Sequence, residues 1–227
     1  MSRFVELGSH PVGVPIEVAL LKRVAEATRA GELIVLPTET VYGIACRPDD
    51  PRATARLFDA KRRPRDLNLP VLAATAEAAL SLTVAPPEAL ALAEDLWPGP
   101  LTMVLRRSAA SSAWELGEQR DTIGIRVPRS FWTRVFLDRV GPLAVTSANR
   151  SGEPPAEDRA ALVGAFGEDV AVYLLQRGPL DGTPSTVVDL SDLPRARVLR
   201  AGGVPREMID QSLRFSGRSV QWVDSPA

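Results

Sequence analysis

Lys61, Arg62, Arg63 and Arg65 fill four of five successive positions in DAKRRPRDLNLP, residues 59–70, with Pro64 between them. Clustered cations hold phosphate or carboxylate oxygens, arginine as a bidentate fork and lysine as a point charge. Other polar side chains stand where apolar runs begin or end. They are Thr38, Thr40 and Tyr42 in LPTETVYG, Arg126 in IRVP, Ser147 and Asn149 in VTSANRSG, Ser185 in DGTPSTVVD and Arg200 in VLRAGG. Hydroxyls and an amide can orient oxygens that cations attract. The single histidine, His10, leaves a Ser-His-Asp triad, a Cys-His pair or a His-rich zinc site almost without raw material. The remaining inventory suits phosphate chemistry, where positioning and charge stabilisation do most of the catalysis. A carboxylate-bound Mg²⁺ is compatible with it.

Each of these residues also has a plainer reading. The basic run can be a solvated helix end, and Thr38, Thr40, Ser147 and Asn149 can hold turns. Arg126 alternates with Ile125 and Val127 and can face solvent, Ser185 can be a loop hydroxyl, and Tyr42 can pack beside the turn at Gly43. Neither the G-x-x-x-x-G-K-[ST] loop nor a strand–G-x-G-x-x-G–helix unit is present, so no standard phosphate cradle decides the matter. Of the 27 lysines and arginines only Lys22 and Lys61 are lysine, a slight sign that a compact ammonium is wanted at 61.

The elements that must position these residues alternate. Apolar spacing predicts a helix over 15–30 stopped by Gly31, then a strand over 32–37 and a helix over 51–62. Further strands are expected at 70–74, 101–107, 121–128, 142–148, 170–178, 185–191 and 197–202, and further helices at 86–96, 129–140, 157–166 and 205–214. Several late strands follow one another through short Gly/Pro turns. The expectation is therefore an α/β fold, a mixed sheet with helices packed on it, whose ligands sit beyond strand ends.

Length and composition fit one soluble domain: 227 residues, 45% hydrophobic, 24% charged and a net charge of −1. A protein relying on non-specific nucleic-acid affinity is usually more basic. No apolar run is long enough to span a membrane, no signal peptide is read, and one cysteine, Cys46, suits a cytoplasmic setting.

Taken in order, LPTETVYGIA, FDAKRRPRD, LWPGPLTMVL, TIGIRVP, VTSANRSGEPP, PSTVVDL and VLRAGGV resemble the YrdC/Sua5 (TsaC) family from about Gly31 to Gly203. The resemblance implies a twisted α/β sheet with a large basic concave surface. It implies a single domain over 1–227 with its core at about 15–204, a short polar C-terminal tail and no C-terminal Sua5 domain. It also implies L-threonylcarbamoyladenylate synthase activity, a nucleotidyl transfer in which L-threonine, bicarbonate/CO₂ and ATP give threonylcarbamoyl-AMP and pyrophosphate. A downstream transferase complex then modifies adenosine 37 of tRNA. Mg²⁺ is expected to arrive with ATP, without a dedicated protein metal site.

Residue by residue, the resemblance assigns Lys61, Arg63, Ser147 and Asn149 to catalysis and the nucleotide, and Thr122 and Arg200 to further nucleotide contacts. It assigns Thr40, Arg126 and Ser185 to threonine, and Thr38 and Tyr42 to support. The chain departs from the family pattern at Leu67, where Asn or Lys is usual, at Leu72, where some longer members have a histidine, and at Pro154 and Pro155, where Ser or Thr is frequent. Asn68 or backbone is expected to substitute for the contact missing at 67. The competing readings are a non-catalytic double-stranded RNA or tRNA-binding module, and a relative that binds nucleotide without making the adenylate.

Overall fold

A computed structural model describes residues 3–8 and 18–224; His10 and positions 15–17 of the first expected helix lie outside the described residues. The strands are β1 (Phe4–Leu7), β2 (Leu33–Pro37), β3 (Tyr42–Cys46), β4 (Val71–Leu72), β5 (Thr83–Val84), β6 (Leu101–Arg107), β7 (Thr122–Arg126), β8 (Leu143–Ser147), β9 (Val170–Gln176), β10 (Thr186–Asp192), β11 (Arg195–Arg200) and β12 (Gln221–Trp222). The helices are α1 (Val18–Arg29), α2 (Pro51–Lys61), α3 (Ala76–Leu80), α4 (Pro87–Leu96), α5 (Phe131–Val140), α6 (Arg159–Phe166) and α7 (Arg206–Phe215). The expected α/β alternation is observed, with β1, β3, β5, β12 and α3 added to it.

The strands form one mixed sheet in the order β1-β9-β2-β3-β8-β4-β7-β6-β10-β11-β12, with β5 paired to β6 beside that path. Antiparallel pairing joins β2 to β3, β3 to β8, β8 to β4 and β7 to β6, whereas β4 lies parallel to β7 and β6 to β10.

Local chemistry sets the helix ends. Asp50 caps α2 by accepting from the Arg52 N–H, and Pro51 fills the first turn, where no amide hydrogen is needed. At the other end Arg62 turns left-handed, with φ +51°, and stops α2. Gly31 takes φ +71° just after α1, a conformation open to glycine. Ser130 caps α5 through the Thr133 N–H.

Two hydrophobic cores sandwich the sheet. Along β2, Leu33 and Val35 enter the larger core and Ile34 and Leu36 the smaller, as a period of two requires. The larger core takes Leu57 of α2, Leu92 of α4, Leu162 of α6 and Ile209 and Leu213 of α7. The core therefore runs past residue 204, and β12 pairs with β11 where a polar tail was expected. The smaller core lies under α1 and α5, which contribute Val24 and Phe136. Those two helices pack on β2, leaving the half of that face over β4, β7, β6 and β10 to the cavity described next.

Candidate active site

A cavity of about 620 Å³ occupies that open half-sheet. Strand alternation builds its floor. In β6, Thr102 and Val104 face the cavity while Leu101, Met103 and Leu105 enter the larger core; in β7, Thr122, Gly124 and Arg126 face it while Ile123 and Ile125 enter the core. In β10, Val187 and Asp189 line the cavity and Val188 and Leu190 are core. The alternation that allowed Arg126 to face solvent instead turns it inward, and it is 6% exposed. Of the eleven predicted site residues, Thr38, Thr40, Tyr42, Arg63, Thr122, Arg126, Ser147, Ser185 and Arg200 line the cavity; Lys61 and Asn149 do not.

Arg126 is the most enclosed of the arginines that line the cavity. Its Nε donates to the Gly99 carbonyl (3.0 Å), and its Nη2 donates to Glu39 Oε1 (2.6 Å) and Thr40 Oγ1 (3.3 Å). Thr38 Oγ1 donates to the Val41 carbonyl at 2.6 Å and accepts from the Thr40 and Val41 amides, so it holds the β2–β3 turn. With the Thr38 proton used there, Thr40 donates to Thr38 across 2.8 Å and turns its lone pairs to Arg126. Tyr42 is core packing with a polar tip that pairs with the Gln176 backbone, and burial raises its pKa.

Arg63 and Arg200 line the same cavity. Arg63 donates to the carbonyls of Leu67 (2.8 Å) and Asn68 (3.2 Å). Arg200, at the exposed rim, donates to the Ser185 carbonyl (3.0 and 2.9 Å) and to Ser185 Oγ (2.9 Å), which also meets Thr102 Oγ1. Loss of hydration lowers the pKa of both arginines; Arg200 adds to the lowering at Arg63, and Arg126 to that at Arg200. Three like charges thus adjoin one another; among the described residues Arg126 alone of the three forms a salt bridge, and the Asp66 charge offsets part of the lowering at Arg63. Such a cluster is electrostatically complementary to a polyanion.

Lys61 departs from the solvated helix end. It is 1% exposed, on the face of α2 that buries Leu57 four residues earlier. Its Nζ donates to the carbonyls of Ser147 and Asn149, both at 2.6 Å, and reaches Asn149 Oδ1 at 3.4 Å. Asn149 Nδ2 donates to the carbonyls of Arg150 and Glu153, so the carbonyl beside Pro154 holds Asn149. Lys61 and Asn149 therefore brace the end of β8 from behind the wall. Burial, with Arg63 adding, pushes the Lys61 pKa down to about 7. The unfolded chain then binds the extra proton between about 7 and the ordinary 10.5, so this residue's contribution to stability grows with pH across that window. Wild type is expected to gain stability relative to Lys61→Met as pH rises through it, measured by urea unfolding. A difference that does not vary with pH would contradict the buried placement.

The segment after the basic run is zipped to a second loop. Asn68 donates to the Gln119 carbonyl (2.7 Å) and accepts from its amide (3.1 Å), and Leu69 N–H meets the Leu116 carbonyl. The Asn68 amide is thus engaged within the protein, and at position 67 it is the backbone carbonyl that works, holding Arg63. The Leu67 side chain, 47% exposed, forms an apolar rim with the equally exposed Leu199. Leu72 lies buried in the wall beside Arg126, its register partner. Glu39, which holds Arg126, is not among the predicted site residues. Its adjacency to Thr40 was the available signal.

This geometry defines a class: a mixed-sheet α/β protein with an arginine-lined cavity on the uncovered half of one sheet face. A model of the Sua5/YciO/YrdC domain, described as telomere recombination, matches residues 26–202. The chain belongs to that family. It is similar to a Mycobacterium tuberculosis (strain H37Rv) protein at 39% identity over 196 residues, 86% of this chain and 89% of the relative. It is also similar to the threonylcarbamoyl-AMP synthase of Vibrio parahaemolyticus at 34% identity, covering 80% of this chain and 98% of that one. The solved structure of Pyrococcus abyssi Sua5 complexed with L-threonine superposes with a TM-score of 0.82 at 31% identity, covering 99% of this chain. This chain spans 63% of that longer protein. Among the described residues no helix is long and apolar enough to cross a membrane.

Proposed function

We propose that this chain is an L-threonylcarbamoyladenylate synthase, forming threonylcarbamoyl-AMP and pyrophosphate from L-threonine, bicarbonate/CO₂ and ATP. The observation that carries the reading is the cavity lined by Arg63, Arg126 and Arg200 in a member of a family whose relatives include threonylcarbamoyl-AMP synthases. Arg126, Thr40 and Ser185 take the amino acid, with the guanidinium facing its carboxylate. Arg63 and Arg200 take the triphosphate, Thr122 and Ser147 orient the nucleotide, and Leu67 and Leu199 offer an apolar rim to the base. Threonine's amine adds to CO₂, and a carbamate oxygen attacks the α-phosphorus as the bond to pyrophosphate breaks. Because the nucleophile is assembled from substrate, the protein's work is alignment and charge stabilisation. Lys61 and Asn149 serve by holding Ser147 in place.

Mg²⁺ enters this reading only as ATP's counterion. Among the described residues no group of three or more His, Cys, Asp or Glu stands together. Two carboxylates line the cavity, Asp66 and Asp189, and Asp189 Oδ1 accepts from the Ser191 N–H and hydroxyl; Glu39 lies behind the wall, bound to Arg126 and facing the Ser130 N–H. No step is routed through the ion. Transfer of the product group to tRNA by a separate complex, in the cytoplasm, belongs to the same proposal. The RNA-module reading is less favoured, because Arg63 and Arg126 turn into the cavity and not onto an open face.

The test is pyrophosphate release with mass-spectrometric detection of threonylcarbamoyl-AMP. Both are expected only when ATP, L-threonine and bicarbonate are all present. Release independent of threonine, or no greater than that of Arg63→Ala, would sink the assignment.

A further inference from the structure

The cavity must hold two anions, a polyphosphate and an amino-acid carboxylate, on three adjoining arginines. We infer that Glu39 is the specificity-determining residue that divides them, by neutralising Arg126 so that polyphosphate settles only on Arg63 and Arg200. This rests on the synthase reading of the same cavity.

Glu39 is fixed through both oxygens. Oε1 accepts from Arg126 Nη2 at 2.6 Å, and Oε2 faces the Ser130 N–H at 3.4 Å, at the start of α5. Its side chain is 16% exposed and that of Arg126 is 7% exposed, so little water screens the pair. The same backbone position is tied down from outside, because the Asp181 N–H donates to the Glu39 carbonyl. Glu39 itself does not line the cavity; it acts through Arg126.

Counting donors shows what the pair leaves for substrate. Arg126 has five N–H groups. Nε is spent on Gly99, and Nη2 on Glu39 and Thr40, while Nη1 meets Thr40 only at 3.4 Å. The Nη1 edge is therefore the one presented to a ligand. A carboxylate needs one well-directed donor edge and can accept it from a neutralised pair. A pyrophosphate group, with several charges to offset, gains far less there than at Arg63 and Arg200, for which no salt bridge with a carboxylate is formed among the described residues. Discrimination comes from withholding charge at one arginine as much as from supplying it at the other two.

The experiment uses inorganic pyrophosphate as the probe and calorimetric titration of L-threonine as the readout. In wild type, saturating pyrophosphate is expected to change the threonine Kd by less than about threefold, and in Glu39→Gln to raise it about tenfold or more, because the amide oxygen can still accept from Arg126 Nη2 while the charge, and the weaker acceptance from the Ser130 N–H, are lost. Glu39→Asp keeps the charge and is expected to restore wild-type independence; Glu39→Ala, which removes the charge without setting an NH2 against the Ser130 N–H, is expected to show the same pyrophosphate sensitivity as Glu39→Gln and serves where that variant folds poorly. Equal pyrophosphate sensitivity in wild type, Gln and Asp variants would overturn the inference. If wild type bound neither threonine nor pyrophosphate, the synthase reading itself would fall, a different and distinguishable outcome.

Discussion

Arg63→Met is expected to lower kcat/KM for ATP by about 10²–10³, the usual cost of removing one donor aimed at developing charge, with the melting temperature unchanged or raised. Two facts set the sign of the stability effect. Arg63 is held at the edge of the cavity against its own loss of hydration and against the charge of Arg200, both of which disfavour its cationic form, and the opposing charge of Asp66 offsets them only in part. Its hydrogen bonds go to two carbonyls of its own loop, at Leu67 and Asn68, and that loop is independently anchored to Gln119 by the Asn68 amide. Removing Arg63 therefore relieves repulsion and leaves the loop tied. Arg200→Met is expected to lose activity to a similar extent but also to lose stability, since it makes three bonds to Ser185. Steady-state kinetics beside thermal unfolding separates the cases. Full ATP turnover by Arg63→Met would remove Arg63 from the phosphate site.

Much of this architecture is legible in the sequence, and the gaps have physical causes. Long periodic segments announce themselves, and the polar sequences at their ends mark the loops around the cavity. Strand β3 was hidden because LPTETVYG reads as one loop. Only Thr38–Val41 turn; Tyr42–Cys46 is a strand buried on both faces, so it shows no polar alternation to read. Gly43 sits in it because a β-carbon there would lie 2.6 Å from Val145 Cγ1 on the next strand. Residue types at the site were readable, but their directions were not. Arg126 and its apolar neighbours read equally well inward or outward until the sheet shows which face lacks helices. Lys61 was legible in one respect that charge obscured. It stands four residues after Leu57 and three after Phe58, on the apolar stripe of α2, whereas Arg62 falls outside the helix. Glu39 could not be paired with Arg126 from sequence, being 87 positions away.

Arg126→Met is expected to do two separable kinds of damage. Threonine binding should weaken about 10–100-fold, the worth of a charge-assisted hydrogen bond to its carboxylate, with ATP affinity little changed. Stability should fall by about 3–5 kcal/mol, because Glu39 is left as a largely buried carboxylate without its cation. The second effect belongs to Glu39 and not to the cavity, so it can be removed alone. In the double variant Arg126→Met/Glu39→Gln the stranded charge is gone, and the glutamine still accepts the Ser130 N–H that meets Glu39 Oε2. Replacing both partners of a buried pair by neutral groups costs far less than breaking it, so the double variant should recover most of the lost stability while threonine binding stays weak. Urea unfolding and threonine titration of the two variants make the comparison. Recovery of threonine affinity along with stability would show that Arg126 holds the fold and not the amino acid. No recovery of stability would show that the ion pair is not what Arg126 contributes to the fold, leaving its bonds to Gly99 and Thr40 as the source.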